Sequence, residues 1–139
     1  MIGFVVVLLL FAVTLTFLAT ATFVGSRLPA AHRVSRTARY AEPVTRVWEA
    51  VSDPRIGFGA HRFEQATPVP GRVLIRRIVG EADLQGTWTY ELEPDGSGTR
   101  LTITEDAEIR SALFRFVSRF ALGRGRSLDA YLETLRRSL

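Results

Sequence analysis

The sequence predicts an uncharged N-terminal helix followed by one α+β domain, in which an antiparallel sheet of about five strands is closed by a long C-terminal helix. Three observations predict it. Residues 2–24 carry no charge, and Thr14, Thr16, Thr20 and Thr22 supply their only side-chain hydroxyls. Residues 87–109 alternate apolar and polar on either side of a turn. From residue 111 the apolar residues recur at helical spacing. The chain has 139 residues, and the ~110 left after the apolar segment suffice for one modest core.

The first segment is 23 residues long, which as a helix spans roughly 35 Å, slightly more than a hydrocarbon core. It has no polar face, so a buried helix of a soluble domain fits it poorly. A secretory signal peptide would have a basic start and a shorter apolar core. Here the first cation is Arg27, although Ala19-Thr20-Ala21 resembles a cleavage site and keeps that alternative open. The reading adopted is an uncleaved transmembrane helix over residues 1–25, a linker over 26–33 and a folded domain over 34–139.

All 18 basic residues are arginine, against 14 acids, and they are unevenly placed. Residues 27–46 carry five arginines and Glu42, for a net +4. Residues 47–109 carry a net −5, and residues 110–139 a net +5. A cationic flank after an apolar helix marks its cytoplasmic side, which places the domain in the cytoplasm. Nucleic-acid binding is not expected, because no basic stripe is interleaved with aromatics for stacking. Cysteine is absent, which excludes a disulfide scaffold, a thiolate metal site and a cysteine nucleophile. Oligomeric state is not legible.

Along the domain, residues 34–40 read as a strand. Pro43 opens a short helix over 44–51, whose Val44, Val47, Trp48 and Val51 make one apolar face. Residues 56–60 read as a glycine-rich connection or a single helical turn. Residues 62–67 and 72–79 read as strands separated by a turn with two prolines. Residues 87–93 place Trp88, Tyr90 and Leu92 on one face. The turn at 94–98 leads into 99–109, with Leu101, Ile103, Glu105, Ala107 and Ile109 on one face. From 111, Leu113, Val117, Phe120, Leu128, Tyr131 and Leu135 form one stripe. Leu113 and Leu135 lie 22 residues apart, close to six turns, so one continuous helix with a weak point at Gly123 and Gly125 is expected.

These segments resemble the START-like helix-grip superfamily (SRPBCC), in its polyketide cyclase/dehydrase-like branch. Ala41-Glu42-Pro43, Val47-Trp48 and Ser52-Asp53-Pro54 resemble its opening motif. Residues 87–109 resemble its last hairpin, and Leu113 to Phe116 with Tyr131 to Leu135 resemble its closing helix. Leu28-Pro29 and Val34-Ser35-Arg36 resemble a membrane-anchored group within that branch. The family has about 30 more residues after the Asp-Pro, where this chain has seven between Pro54 and Arg62. The resemblance therefore implies loss of two strands, five in place of about seven, and a reduced or opened ligand cavity.

Candidate pocket residues are Arg77, Trp88, Tyr90, Ile103, Glu105, Leu113 and Val117. Glu105 on an apolar face would be a carboxylate deprived of water, and Arg77, read onto the same interior with Val73, Ile75 and Val79, its partner. The competing reading is a structural ion pair, and Trp88 and Tyr90 read equally as plain core. His32 in the linker reads as solvated, and His61 has no nucleophile to serve. No catalytic triad, metal motif or dinucleotide fingerprint can be assembled, so no catalytic residue, metal or cofactor is expected. Three functions remain. The first is a membrane-anchored, non-enzymatic domain that binds or shields an apolar small molecule or lipid. The second is a cyclase- or dehydratase-like enzyme using Glu105. The third is an interaction module whose pocket has degenerated and whose exposed sheet edges pair with a partner.

Overall fold

A computed structural model describes residues 1–56, 62–123 and 125–139. His61 and most of the glycine-rich connection lie outside the described residues. The chain forms two compact units, one comprising Met1–Ala30 with Ile109–Gly123 and the other Ala31–Glu108 with Arg124–Leu139.

The first unit is built on helix α1, Ile2–Arg27, which is long and apolar enough to cross a membrane. It packs against helix α3, Ala112–Val117. Two contacts fix the pair. Phe17 meets Phe116 edge to face at 6.1 Å, and Gly25 lies so close to Ala112 that a Cβ would overlap its carbonyl. Arg115 ties the ends together, its Nε donating to the Gly25 carbonyl at 2.9 Å and its Nη1 to the carbonyls of Ile109 and Arg110, each at 2.9 Å. The Gly25 carbonyl also accepts the Leu28 N–H at 3.1 Å, so Arg115 adds a second donor at the end of α1. Beyond α3 the chain widens into a π-helical turn, Ser118–Leu122.

The second unit is an antiparallel sheet with two helices. Strand β1 is Ala31–Tyr40, helix α2 is Val44–Ser52, and strands β2 to β5 are Arg62–Val69, Val73–Val79, Leu84–Asp95 and Gly98–Ile109. Helix α4 is Arg126–Ser138. The sheet order is β1-β5-β4-β3-β2, so four consecutive strands form a meander and β1 closes against the last of them. The expected five strands are present. β1 starts at Ala31, earlier than the expected 34, because its pairing with β5 extends to Ala31 opposite Glu108. The β2–β3 register shifts between Ala66 and Val69, around Pro68, which has no N–H to give a ladder.

One face of the sheet carries Leu74, Ile78, Trp88, Tyr90, Leu92, Leu101 and Ile103, all buried. They pack with Val47, Ala50 and Val51 of α2 and with Leu128, Tyr131 and Leu135 of α4. The last three follow the i, i+3, i+7 spacing of a single helical face.

The expected continuous C-terminal helix is broken. Gly123 and Gly125 adopt φ of 74° and 79°, values that no right-handed helix contains. Leu113 and Leu135 keep helical spacing only in the sequence, and the two halves serve different units. Leu113 and Val117 are half-buried in the first unit, and only the 126–138 half belongs to the sheet.

Tyr40, Tyr90 and Tyr131 are the chain's three tyrosines, and all are buried in this core. Burial raises the Tyr40 phenol to about 12, its hydroxyl donating to the Leu132 carbonyl at 3.2 Å. Burial likewise raises Tyr90 and Tyr131, whose rings meet at 5.6 Å. A phenol that stays protonated in the folded chain contributes stability that is complete below its unfolded value of 10.0 and is lost as pH climbs through about 12. Denaturant midpoints should therefore fall above pH 10, and tyrosinate absorbance should appear with unfolding, not ahead of it. Tyrosinate forming in a chain that is still folded would contradict this packing.

Candidate functional site

The β1–β5 register sets Val34 opposite Glu105 and His32 opposite Ala107. Side chains two residues apart share a face, so His32 and Glu105 are diagonal neighbours. On the other side of β5 stands Trp88 of β4. Three side chains from three strands thus form a row across the inner face. Glu105 is 6% exposed. Its Oε2 accepts the Trp88 Nε1–H at 2.7 Å, and its Oε1 lies 3.0 Å from His32 Nε2. Where Glu105 Oε1 accepts, His32 Nε2 carries the hydrogen of that bond.

Trp88 is held in this pose from two sides. Phe63 of β2 meets its ring edge to face at 5.7 Å. Gly86 leaves room beneath it, where a Cβ would fall 2.7 Å from Cη2 of the indole. The row adjoins an open groove of about 450 Å³. His32 and Arg33 of β1, Gln85 and Gly86 of β4, and Asp106 and Ala107 of β5 form most of its wall. That volume is within the range that small-molecule sites occupy. Among the described residues, no group of three or more His, Asp or Glu side chains is placed to hold a metal ion.

The structure brings together the predicted Glu105 and Trp88 and adds His32, which is half-buried in β1 and not solvated in a linker. Its signal was available as a pattern: residues 32, 34, 36, 38 and 40 share a parity, and the half-buried or buried positions of β1 follow it. Arg36, on that parity, obscured it. Tyr90 and Ile103 are fully buried in the core. Leu113 and Val117 belong to the other unit.

Arg77 is a correction. It is exposed, while its neighbour Arg76 is 3% exposed on the inner face with Leu74 and Ile78. Val73, Ile75 and Val79 make the outer face of β3 look as apolar as the inner one, so parity alone could not choose. Arg76 is also not the partner of Glu105. Its Nη2 donates to the carbonyls of Val51 and Asp53 at 2.7 and 3.1 Å, its Nη1 to that of Ile56 at 2.9 Å, and its Nε to Gln65 Oε1 at 3.1 Å. A guanidinium thus caps the C-terminal end of α2, where the helix dipole favours a cation. Its carbon also sits 5.4 Å from the Tyr90 ring centroid.

With this geometry in place, comparison with known proteins is informative at the level of fold. No family model and no curated protein matches the sequence. Among solved structures, the Mll3558 protein from Rhizobium loti is similar with a TM-score of 0.54 and 22% identity, over 78% of this chain and 97% of that one. A START superfamily protein from Mycobacterium smegmatis is similar with a TM-score of 0.52 and 13% identity, over 77% of this chain and 98% of that one. The fold is START-like. A third similar structure is the di-domain ARO/CYC StfQ from the steffimycin biosynthetic pathway. Its TM-score is 0.56 at 12% identity, over 78% of this chain and 50% of that one.

Replacing Arg76 with Met should destabilise the START-like domain by about 3 kcal/mol or more, because three carbonyls and an amide oxygen lose a buried donor together. Arg76→Lys should recover only part of the loss, since an ammonium cannot reproduce the fork. Arg77→Met, at an exposed position, should change stability by less than about 0.5 kcal/mol. Chemical denaturation of the three variants measures all of this.

Proposed function

We propose that this chain is a membrane-anchored START-like domain that binds or shields an apolar molecule bearing a hydrogen-bonding head, without transforming it. α1 serves as the anchor, and the arginines that follow it orient the domain towards the cytoplasm. Three residues separate the end of α1 from the start of β1, so the domain is tethered closely along the chain. The reading is carried by one observation, a buried carboxylate braced by Trp88 and His32 at the edge of an open groove. Burying a carboxylate costs several kcal/mol unless it is well satisfied, and here both oxygens have partners. The arrangement offers a ligand head one defined polar point, His32, beside Ala107 and Gly86 in the groove wall.

The full-length chain in nanodiscs should bind a fluorescent long-chain fatty acid or prenol saturably. His32→Ala and Glu105→Gln should each weaken that binding about tenfold or more, the value of one hydrogen bond to a charged group. Arg77→Ala should leave it unchanged. Absence of saturable binding by the intact chain, or equal affinities in all variants, removes the proposal.

The same hydrogen bond supports a second reading. A carboxylate that fixes the imidazole tautomer leaves Nδ1 as a base, suited to removing a proton next to a carbonyl. In that case the chain should catalyse exchange of the α-protons of a model diketone with deuterated solvent, and His32→Ala should abolish the exchange. Rates equal to buffer alone exclude it.

A further inference from the structure

Apolar surface outside α1 is concentrated in one place. Among the described residues beyond residue 30, the large apolar side chains left exposed are Val69, Phe114 and Phe120. Phe114 is 44% and Phe120 61% exposed, and both lie in α3 and the π-helical turn that follows it. In water such a pair of rings on one short segment is a cost.

The placement of that segment suggests what covers it. α3 runs antiparallel along α1, from Ala112 beside Gly25 to Phe116 against Phe17. Phe17 lies seven residues before Val24, the last residue of the uncharged run. At helical rise that is about 10 Å inside the apolar segment. If α1 spans a bilayer, Phe116 therefore reaches acyl-chain depth, and the turn that carries Phe120 continues the same surface. Charge agrees with this. Residues 110–126 contain Arg110, Arg115, Arg119, Arg124 and Arg126 and no acid. Arg115 is satisfied by protein carbonyls. Arg119 is exposed, with its guanidinium carbon 5.7 Å from the Phe120 ring centroid, and its long stem allows the charge to reach headgroup phosphates.

We propose that residues 112–122 form a second membrane-contacting segment, an amphipathic helix inserted beside α1 at the interface of an anionic lipid surface. Phe114 and Phe120 enter the acyl region while the arginines meet phosphates. Such helices bury their apolar face about 5–10 Å into the boundary between headgroups and acyl chains, which matches the depth deduced for Phe116. The glycine break then has a purpose: it frees this half of the C-terminal stripe from the sheet. The inference rests on α1 being embedded in lipid.

Because the chain has no cysteine, single-cysteine labelling tests it directly. Full-length Val5→Cys, Phe114→Cys, Phe120→Cys and Ser97→Cys would each carry an environment-sensitive fluorophore. Each is reconstituted in vesicles of equal parts phosphatidylcholine and phosphatidylglycerol, with spin-labelled lipid as quencher. Labels at positions 5, 114 and 120 should be quenched to a similar extent, and the label at 97, in the β4–β5 turn, should not. Quenching at 5 with none at 114 and 120 overturns this inference and leaves the anchor reading standing. No quenching at 5 overturns the anchor reading, and the inference with it. Equal quenching at all four positions also overturns it, by assigning lipid contact to the domain at large. Circular dichroism of each labelled variant shows whether the fold is retained. Should a labelled phenylalanine variant unfold, phenylalanine-to-tryptophan substitutions at 114 and 120, quenched by brominated lipid, give the same reading.

Discussion

The pairing of β1 with β5 is the constraint on which the domain depends. Ten residues of β1, Ala31 to Tyr40, face Glu108 back to Thr99 in an unbroken antiparallel ladder. The other strands are joined in sequence by turns or short connections and could form a meander alone. This ladder joins segments about 60 residues or more apart and so carries the largest closure entropy in the sheet. It also fixes which residues of the first strand see the interior. A slip of one residue would send His32 to the outer face and Arg33 inward, and Glu105 would lose one of its two partners.

Among the described residues, one arginine and one glutamate, Arg76 and Glu105, are buried in the domain, and they are stabilised in different ways. Arg76 is surrounded by carbonyls at the end of α2, so it acts as a tie between a helix and the sheet beneath it. Glu105 is served by an indole N–H and an imidazole, groups that belong to neighbouring strands. The first arrangement uses every nitrogen of the guanidinium on fixed protein atoms. The second leaves an imidazole at the border of an open groove.

The glycines at 123 and 125 divide one apolar stripe between two tasks. Helical phase alone would have carried Leu113 and Leu135 onto one surface. Backbone torsions with positive φ end the first half and let the second begin afresh. Leu128, Tyr131 and Leu135 then close the sheet, while Phe116 packs on Phe17 of the apolar helix.

Local pattern by itself determined the uncharged helix, the alternating strands at 87–93 and 99–109 and the inward face that carries Glu105. It determined the apolar side of α2 as well, because each of these is written in periodicities of two or 3.6 residues within a short window. Tertiary structure alone decided that Arg76 and not Arg77 is buried. Both faces of β3 are apolar, and only its register with β4, which sets Arg76 opposite Trp88, settles the choice. It alone decided that His32 meets Glu105, a contact across 73 residues that no local window contains. It alone broke the C-terminal helix, since side-chain spacing records phase and not the backbone torsions, and Gly123 and Gly125 take positive φ.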